Sequence, residues 1–120
     1  MISGCAVDSA AALTGGRSIT GNTFNGVVVN AGSRLHTEHS SISANGALGI
    51  FVARGSSAEF LGSANVVSGN TAVGLYCADS ESYYSGDATG TTGNNGGDMV
   101  NCVTYSLPVP PAPLPPPLAQ

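Results

Sequence analysis

Four short segments of this chain can be laid one above another: SITGN at 18–22, SISAN at 41–45, VVSGN at 66–70 and TTGNN at 91–95. Their asparagines fall at Asn22, Asn45, Asn70 and either Asn94 or Asn95, a period of about two dozen residues. A second block follows each asparagine: GVVV at 26–29, GIFV at 49–52 and GLYC at 74–77, with a degenerate earlier copy, GCAV, at 4–7. Self-similarity at this period is the mark of a wound chain. Each repeat is too small to bury its own apolar face and must stack on its neighbours.

The columns of the alignment specify strands. One reads Cys5, Val27, Ile50, Leu75, and the column two residues on reads Val7, Val29, Val52, Cys77. An apolar period of two places both on one face of an extended segment, facing inward. Three residues before each asparagine stand Ile19, Ile42, Val67 and Thr91, followed by Thr20, Ser43, Ser68 and Thr92. The first of these columns faces in and the second out. The segments are short, rich in β-branched residues and bounded by Gly, Asn and Ser, as β-strands with tight turns should be. No window of helical spacing is long enough to compete.

On these residues the chain resembles the right-handed parallel β-helix, the coil of the pectin-lyase-like superfamily, over roughly residues 3–102. The expected fold is all-β: a right-handed parallel β-helix of four to five coils. In that family an asparagine stacks coil upon coil at a tight turn, and Asn22, Asn45, Asn70 and Asn94 or Asn95 match it. Asparagine tolerates the left-handed backbone of a turn, and its amide can both donate and accept across the spacing of ~4.8 Å between strands. The hexapeptide unit of a left-handed β-helix is absent. A leucine-rich repeat shares the period and the asparagine but needs a denser leucine framework.

All seven prolines lie between Pro108 and Pro117, so residues 1–106 read as the β-helix domain and 107–120 as a proline-rich tail or linker in polyproline II conformation. Charged residues are 8% of the 120, with a net charge of −4 and three scattered cations, Arg17, Arg34 and Arg54. A phosphate-backbone partner needs clustered cations, so nucleic acid is excluded. No apolar run approaches the ~18 to 20 residues of a membrane span. The first coil starts without a cap, and the chain reads as a piece of a longer secreted or cell-surface protein whose raw coil edges invite self-association or a partner.

Enzymes that resemble this fold align carboxylates or basic residues on adjacent coils. The motifs of the polygalacturonase and pectate lyase families are not found here. The seven acidic residues rarely share a column; Asp79 and Glu81, with Asp87 folding back, come nearest, and read as a solvated acidic loop, with a weak Ca²⁺ site as the alternative. The LHTEH segment sets His36 and Glu38 on one side of a strand and His39 on the other, a poor start for a tetrahedral zinc site. His36 is expected beside Glu59 as a surface pair. No catalytic residue, metal or cofactor is expected.

Cys5 is too far away in the stack to join the other two cysteines. With Asn95 as the fourth ladder asparagine, Cys102 would fall on Cys77 at a separation that permits a disulfide. Neighbouring side chains in a parallel ladder are awkwardly directed for bonding, so free buried thiols are the expectation and a disulfide the alternative.

One outward column, Ala6, Val28, Phe51, Tyr76, is apolar, and such strips mark contact sites. Phe51 and Tyr76 are the expected ligand-binding pair, with Arg54 and Asp79 beside them as polar anchors. A loop of the same chain or the proline-rich tail could equally cover the strip. The function expected is a non-enzymatic structural or binding module with a polysaccharide or protein partner. The alternative is a remnant of a polysaccharide lyase or glycoside hydrolase.

Overall fold

A computed structural model describes residues 5–7, 10–62 and 64–104, with no helix among them. The chain winds as a parallel β-solenoid of about four turns. The first turn carries β1 (Cys5–Val7), β2 (Ala10–Leu13) and β3 (Ser18–Thr20). The second carries β4 (Val27–Val29), β5 (Arg34–Glu38) and β6 (Ser41–Ser43). The third carries β7 (Ile50–Val52), β8 (Ser57–Leu61) and β9 (Val66–Ser68). The fourth carries β10 (Leu75–Cys77), β11 (Tyr83–Gly86) and β12 (Thr91–Thr92). A partial fifth adds β13 (Met99–Val100) and β14 (Val103–Thr104). Equivalent strands of successive turns pair in parallel, giving three sheets: β1-β4-β7-β10-β13, β2-β5-β8-β11-β14 and β3-β6-β9-β12. One strand from each sheet per turn is not the architecture of a leucine-rich repeat.

The sequence columns become strand partners. Val27 lies on Ile50 and Ile50 on Leu75, while Val29 lies on Val52 and Val52 on Cys77. All six are fully buried. Leu35, Ala58 and Phe60 enter the same core from the second sheet and Ile42 and Val67 from the third. Phe60 meets the edge of Tyr84 in a T-shaped contact at 6.3 Å. Thr91 ends the Ile42–Val67 column as a buried residue whose hydroxyl has no hydrogen-bond partner.

Two polar ladders hold the corners. Between the third and first sheets, the backbone N–H and side-chain amide of each asparagine donate to the side-chain oxygen of the next. Asn22 donates to Asn45 at 3.1 and 2.9 Å, Asn45 to Asn70 at 3.0 and 2.9 Å, and Asn70 to Asn94 at 3.0 and 2.8 Å. The fourth member is therefore Asn94, not Asn95. Buried amides would be costly unpaired, and here each inner one is served from both sides. At the first-to-second-sheet corner, Ser33 donates its N–H to Ser56 Oγ at 3.0 Å, and Ser56 its N–H to Ser82 Oγ at 3.4 Å. All three serines are buried.

The left-handed backbone that asparagine was expected to supply falls instead on the residue before it: Gly21, Ala44, Gly69 and Gly93 have φ of 72°, 54°, 64° and 67°. The asparagine keeps an ordinary φ and spends its side chain on the ladder. The glycine that opens each second block, Gly26, Gly49 or Gly74, is needed for closeness rather than for φ. A Cβ on Gly49 would stand 2.7 Å from Asn70 Nδ2 and 2.6 Å from the Gly74 carbonyl oxygen.

The free-thiol expectation is overturned: Cys77 and Cys102 form a disulfide, S–S 2.03 Å, with Cα atoms 5.0 Å apart. With Asn94 in the ladder, Leu75 pairs with Met99 and Tyr76 with Val100. Cys102 thus stands one residue past the position facing Cys77. The intervening Asn101 has φ of 62°, and this left-handed step removes the parallel side-chain directions that would have kept the sulfurs apart. The proline-rich tail, 107–120, lies outside the described residues, as does Asp8.

Candidate functional site

The first sheet turns its middle residue outward on the second, third and fourth turns. In β4, β7 and β10 the outer two residues are buried and Val28, Phe51 and Tyr76 between them are half-buried. Register places Val28 on Phe51, Phe51 on Tyr76 and Tyr76 on Val100, which is also half-buried. Ala6 continues the register below Val28. The result is an apolar column along the coil axis, one residue per turn.

The two rings of the column form a parallel pair with centroids 5.8 Å apart and planes 13° from parallel, within the offset-stacked range. Rings that close cannot lie side by side in one plane without their hydrogens colliding. Their faces are therefore turned partly toward each other, and the pair presents ring edges together with its outer faces. The outer surfaces of the other sheets are mixed, with exposed Leu61 and Val103 on the second and exposed Val66 on the third among polar residues. The second carries Arg34, His36, Glu38 and Glu59, and the third carries Ser43, Ser68 and Thr92. His36 Nδ1 and Glu59 Oε1 meet at 3.0 Å on that surface, a pair worth little to stability in water.

Arg54 and Asp79 do lie together at the corner beyond the column, through the backbone of Arg54. Arg54 and Gly55 both have positive φ, 59° and 72°, and this turn aims their two N–H groups at the Asp79 carboxylate. Asp79 also accepts from the Glu81 N–H at 3.2 Å and the Ser82 hydroxyl at 2.8 Å. The Ser82 hydroxyl and the Arg54 N–H, supported by Gly55 and Glu81, hold the Asp79 carboxyl below the usual carboxylate range. Asp79 is thereby the end of the serine ladder, while the Arg54 side chain is exposed. Beside this corner lies a depression of about 320 Å³ lined by Cys77, Ala78, Asp79, Ser80, Asn101 and Val103.

Asp87 is occupied locally, accepting from the Thr89 N–H at 3.0 Å and its hydroxyl at 2.6 Å. No group of three or more His, Cys, Asp or Glu converges among the described residues, so Asp79, Glu81 and Asp87 do not form a cation cage, nor do His36, Glu38 and His39. No described helix is long and apolar enough to cross a membrane.

Sequence reasoning missed Asp98. It occupies the position of the column glycines, four residues after the ladder asparagine, and its Oδ1 accepts from the N–H of Asn94 at 3.0 Å and from Nδ2 at 3.3 Å. Those are the bonds that a further asparagine would receive. The signal was available as the one break in the series Gly26, Gly49, Gly74.

No family model, curated protein or solved structure matches the chain.

Proposed function

We propose that this chain is a non-enzymatic β-solenoid module that binds a polysaccharide along the outer column of its first sheet. The observation that carries the reading is the in-register series Val28, Phe51, Tyr76, Val100, one apolar residue on each of four successive turns, whereas the exposed Leu61 and Val66 of the other sheets pair with Glu38 and Ser41. A linear polymer laid along the axis meets one apolar residue per turn, and the apolar faces of sugar rings suit aromatic edges and faces. Phe51 and Tyr76 are the contact residues and Arg54 a polar anchor at the rim. Asp79 serves by fixing the turn that carries Arg54.

The reading extends to a right-handed coil akin to the pectin-lyase-like superfamily. A parallel crossover within one sheet takes that hand almost without exception. It also extends to a secreted or cell-surface parent protein, since a disulfide such as Cys77–Cys102 belongs to an oxidising compartment. Binding is favoured over hydrolysis because the best-placed carboxyl, Asp79, is held ionised by four donors, the wrong state for a general acid.

The test is retention on a glycan array. Phe51→Ala and Tyr76→Ala should each weaken retention with the circular dichroism spectrum unchanged; undiminished retention removes the column from consideration. New reducing ends or unsaturated products from polygalacturonate or alginate, lost in Asp79→Asn or Glu81→Gln, would replace the binding module with an enzyme.

A further inference from the structure

The fifth turn is attached differently from the others. The third and fourth turns are each joined to the turn before by three strand pairings. Among the described residues the fifth has two, each of two residues: Met99 and Val100 on Leu75 and Tyr76, and Val103 and Thr104 on Tyr83 and Tyr84. Asp98 tethers its start to Asn94. The Cys77–Cys102 cross-link ties it to the fourth turn, closing a span of 25 residues. Val100, on this lightly held segment, is the residue in register over Tyr76.

We infer that Cys77–Cys102 is a redox-operated clasp that governs whether the fifth turn covers the end of the aromatic column. A small dithiol breaks the S–S bond; Cys77 and Cys102 each leave as a thiol, taking up two electrons and two protons between them, and the dithiol closes to its own disulfide. While the bond is intact, an opened fifth turn is still a closed loop and gains little freedom. Once the bond is broken, the same opening releases the closure entropy of the short segment between Asp98 and Cys102, the fourth turn staying folded, and the open form becomes on the order of tenfold more populated. The change acts locally because the described pairings of 99–104 all run to the fourth turn. Opening leaves β10 as the edge strand and uncovers the Tyr76 side of the column. The effect on ligand rests on the polysaccharide reading above; the opening itself does not.

The experiment is amide hydrogen exchange on the full chain, oxidised and in dithiothreitol, with reduction confirmed by mass. Protection of 99–104 and of Leu75–Cys77 should fall on the order of tenfold, while the ladder amides of Asn45 and Asn70 keep theirs. Cys102→Ser without reductant should reproduce the pattern. Unchanged protection in the reduced chain overturns the clasp, and so does a uniform loss through all turns, which would make the bond a general stabiliser. Glycan retention measured in parallel separates the two readings: opening accompanied by altered retention supports both, and opening without retention in either state keeps the clasp and rejects the polysaccharide site.

Discussion

The Asp98 carboxylate accepts from both the backbone N–H and the side-chain amide of Asn94, at 3.0 and 3.3 Å. It does so from the position that glycine holds in the three preceding turns. There the next asparagine crowds the space a Cβ would need; here no further asparagine arrives, and an acceptor-only side chain fills the gap. Replacing Asp98 with Ala leaves the buried Asn94 N–H without its acceptor, while the side-chain amide keeps the Val67 and Thr92 carbonyls, and should cost about 1 kcal/mol, read from urea denaturation. Asp98→Asn, which retains an acceptor oxygen, should recover most of it.

The interior of the ladder should be dearer than its end. Asn70 accepts two bonds from Asn45 and donates to Asn94 and to the Ile42 carbonyl. Asn70→Ala is expected to lose about 3 kcal/mol and Asn22→Ala about 1 kcal/mol. Equal losses at the two positions would show that the amides act singly rather than as a stack.

Thr91 offers a gain. Its hydroxyl is buried without a hydrogen bond, in a column whose preceding members are Ile42 and Val67. Thr91→Val keeps the shape and removes the unpaired group, and should stabilise by about 1 kcal/mol. An unchanged or lower denaturation midpoint would contradict the assignment of the hydroxyl as unpaired.

The glycine column should be intolerant for steric reasons. Gly49→Ala brings a Cβ within 2.6–2.8 Å of the Gly74 carbonyl, the Asn70 amide and Val67 Cγ1, and overpacking of this kind costs about 1–3 kcal/mol. Ala44→Gly, at a φ of 54°, should move the other way by up to about 1 kcal/mol, since it relieves a left-handed alanine.

The Asp79 corner should respond to acid. Its carboxyl is held below the ordinary value of 3.8, by the Ser82 hydroxyl first and then by the Arg54 N–H. A folded-state value depressed below the unfolded one adds stability above the unfolded value, and that increment is lost as pH falls through the folded value. Protection of the Arg54 and Gly55 amides, taken relative to their intrinsic exchange rates, should therefore fall below about pH 3.8, and Asp79→Asn should flatten the dependence.

Much of the fold was written plainly in the repeat. Val27, Ile50 and Leu75 became strand partners because an apolar period of two on a fixed winding leaves no other register, and Asn22, Asn45 and Asn70 became neighbours for the same reason. What escaped lay where the repeat changes its count. The loop 78–82 is one residue longer than its counterparts, which moves the third ladder serine to Ser82 and draws Asp79, read as a ligand anchor, into the corner. The choice between Asn94 and Asn95 set the register of the last turn, and Cys102 fell one place beyond the position that alignment on Asn95 had given it. Phe51 and Tyr76 were legible as an outward pair; the tilt of their rings toward each other depends on side-chain torsions that no alignment column encodes.

The bonds from one ladder side chain to the next all run in one sense, from Asn22 through Asn45 and Asn70 to Asn94, and Asp98 is where that relay stops. Molecular height is thus a quantity that can be dialled in whole steps. Duplicating residues 46–70 after Asn70 would insert one more rung, lengthen the rod by ~4.8 Å and leave Asp98 and the clasped fifth turn as they are.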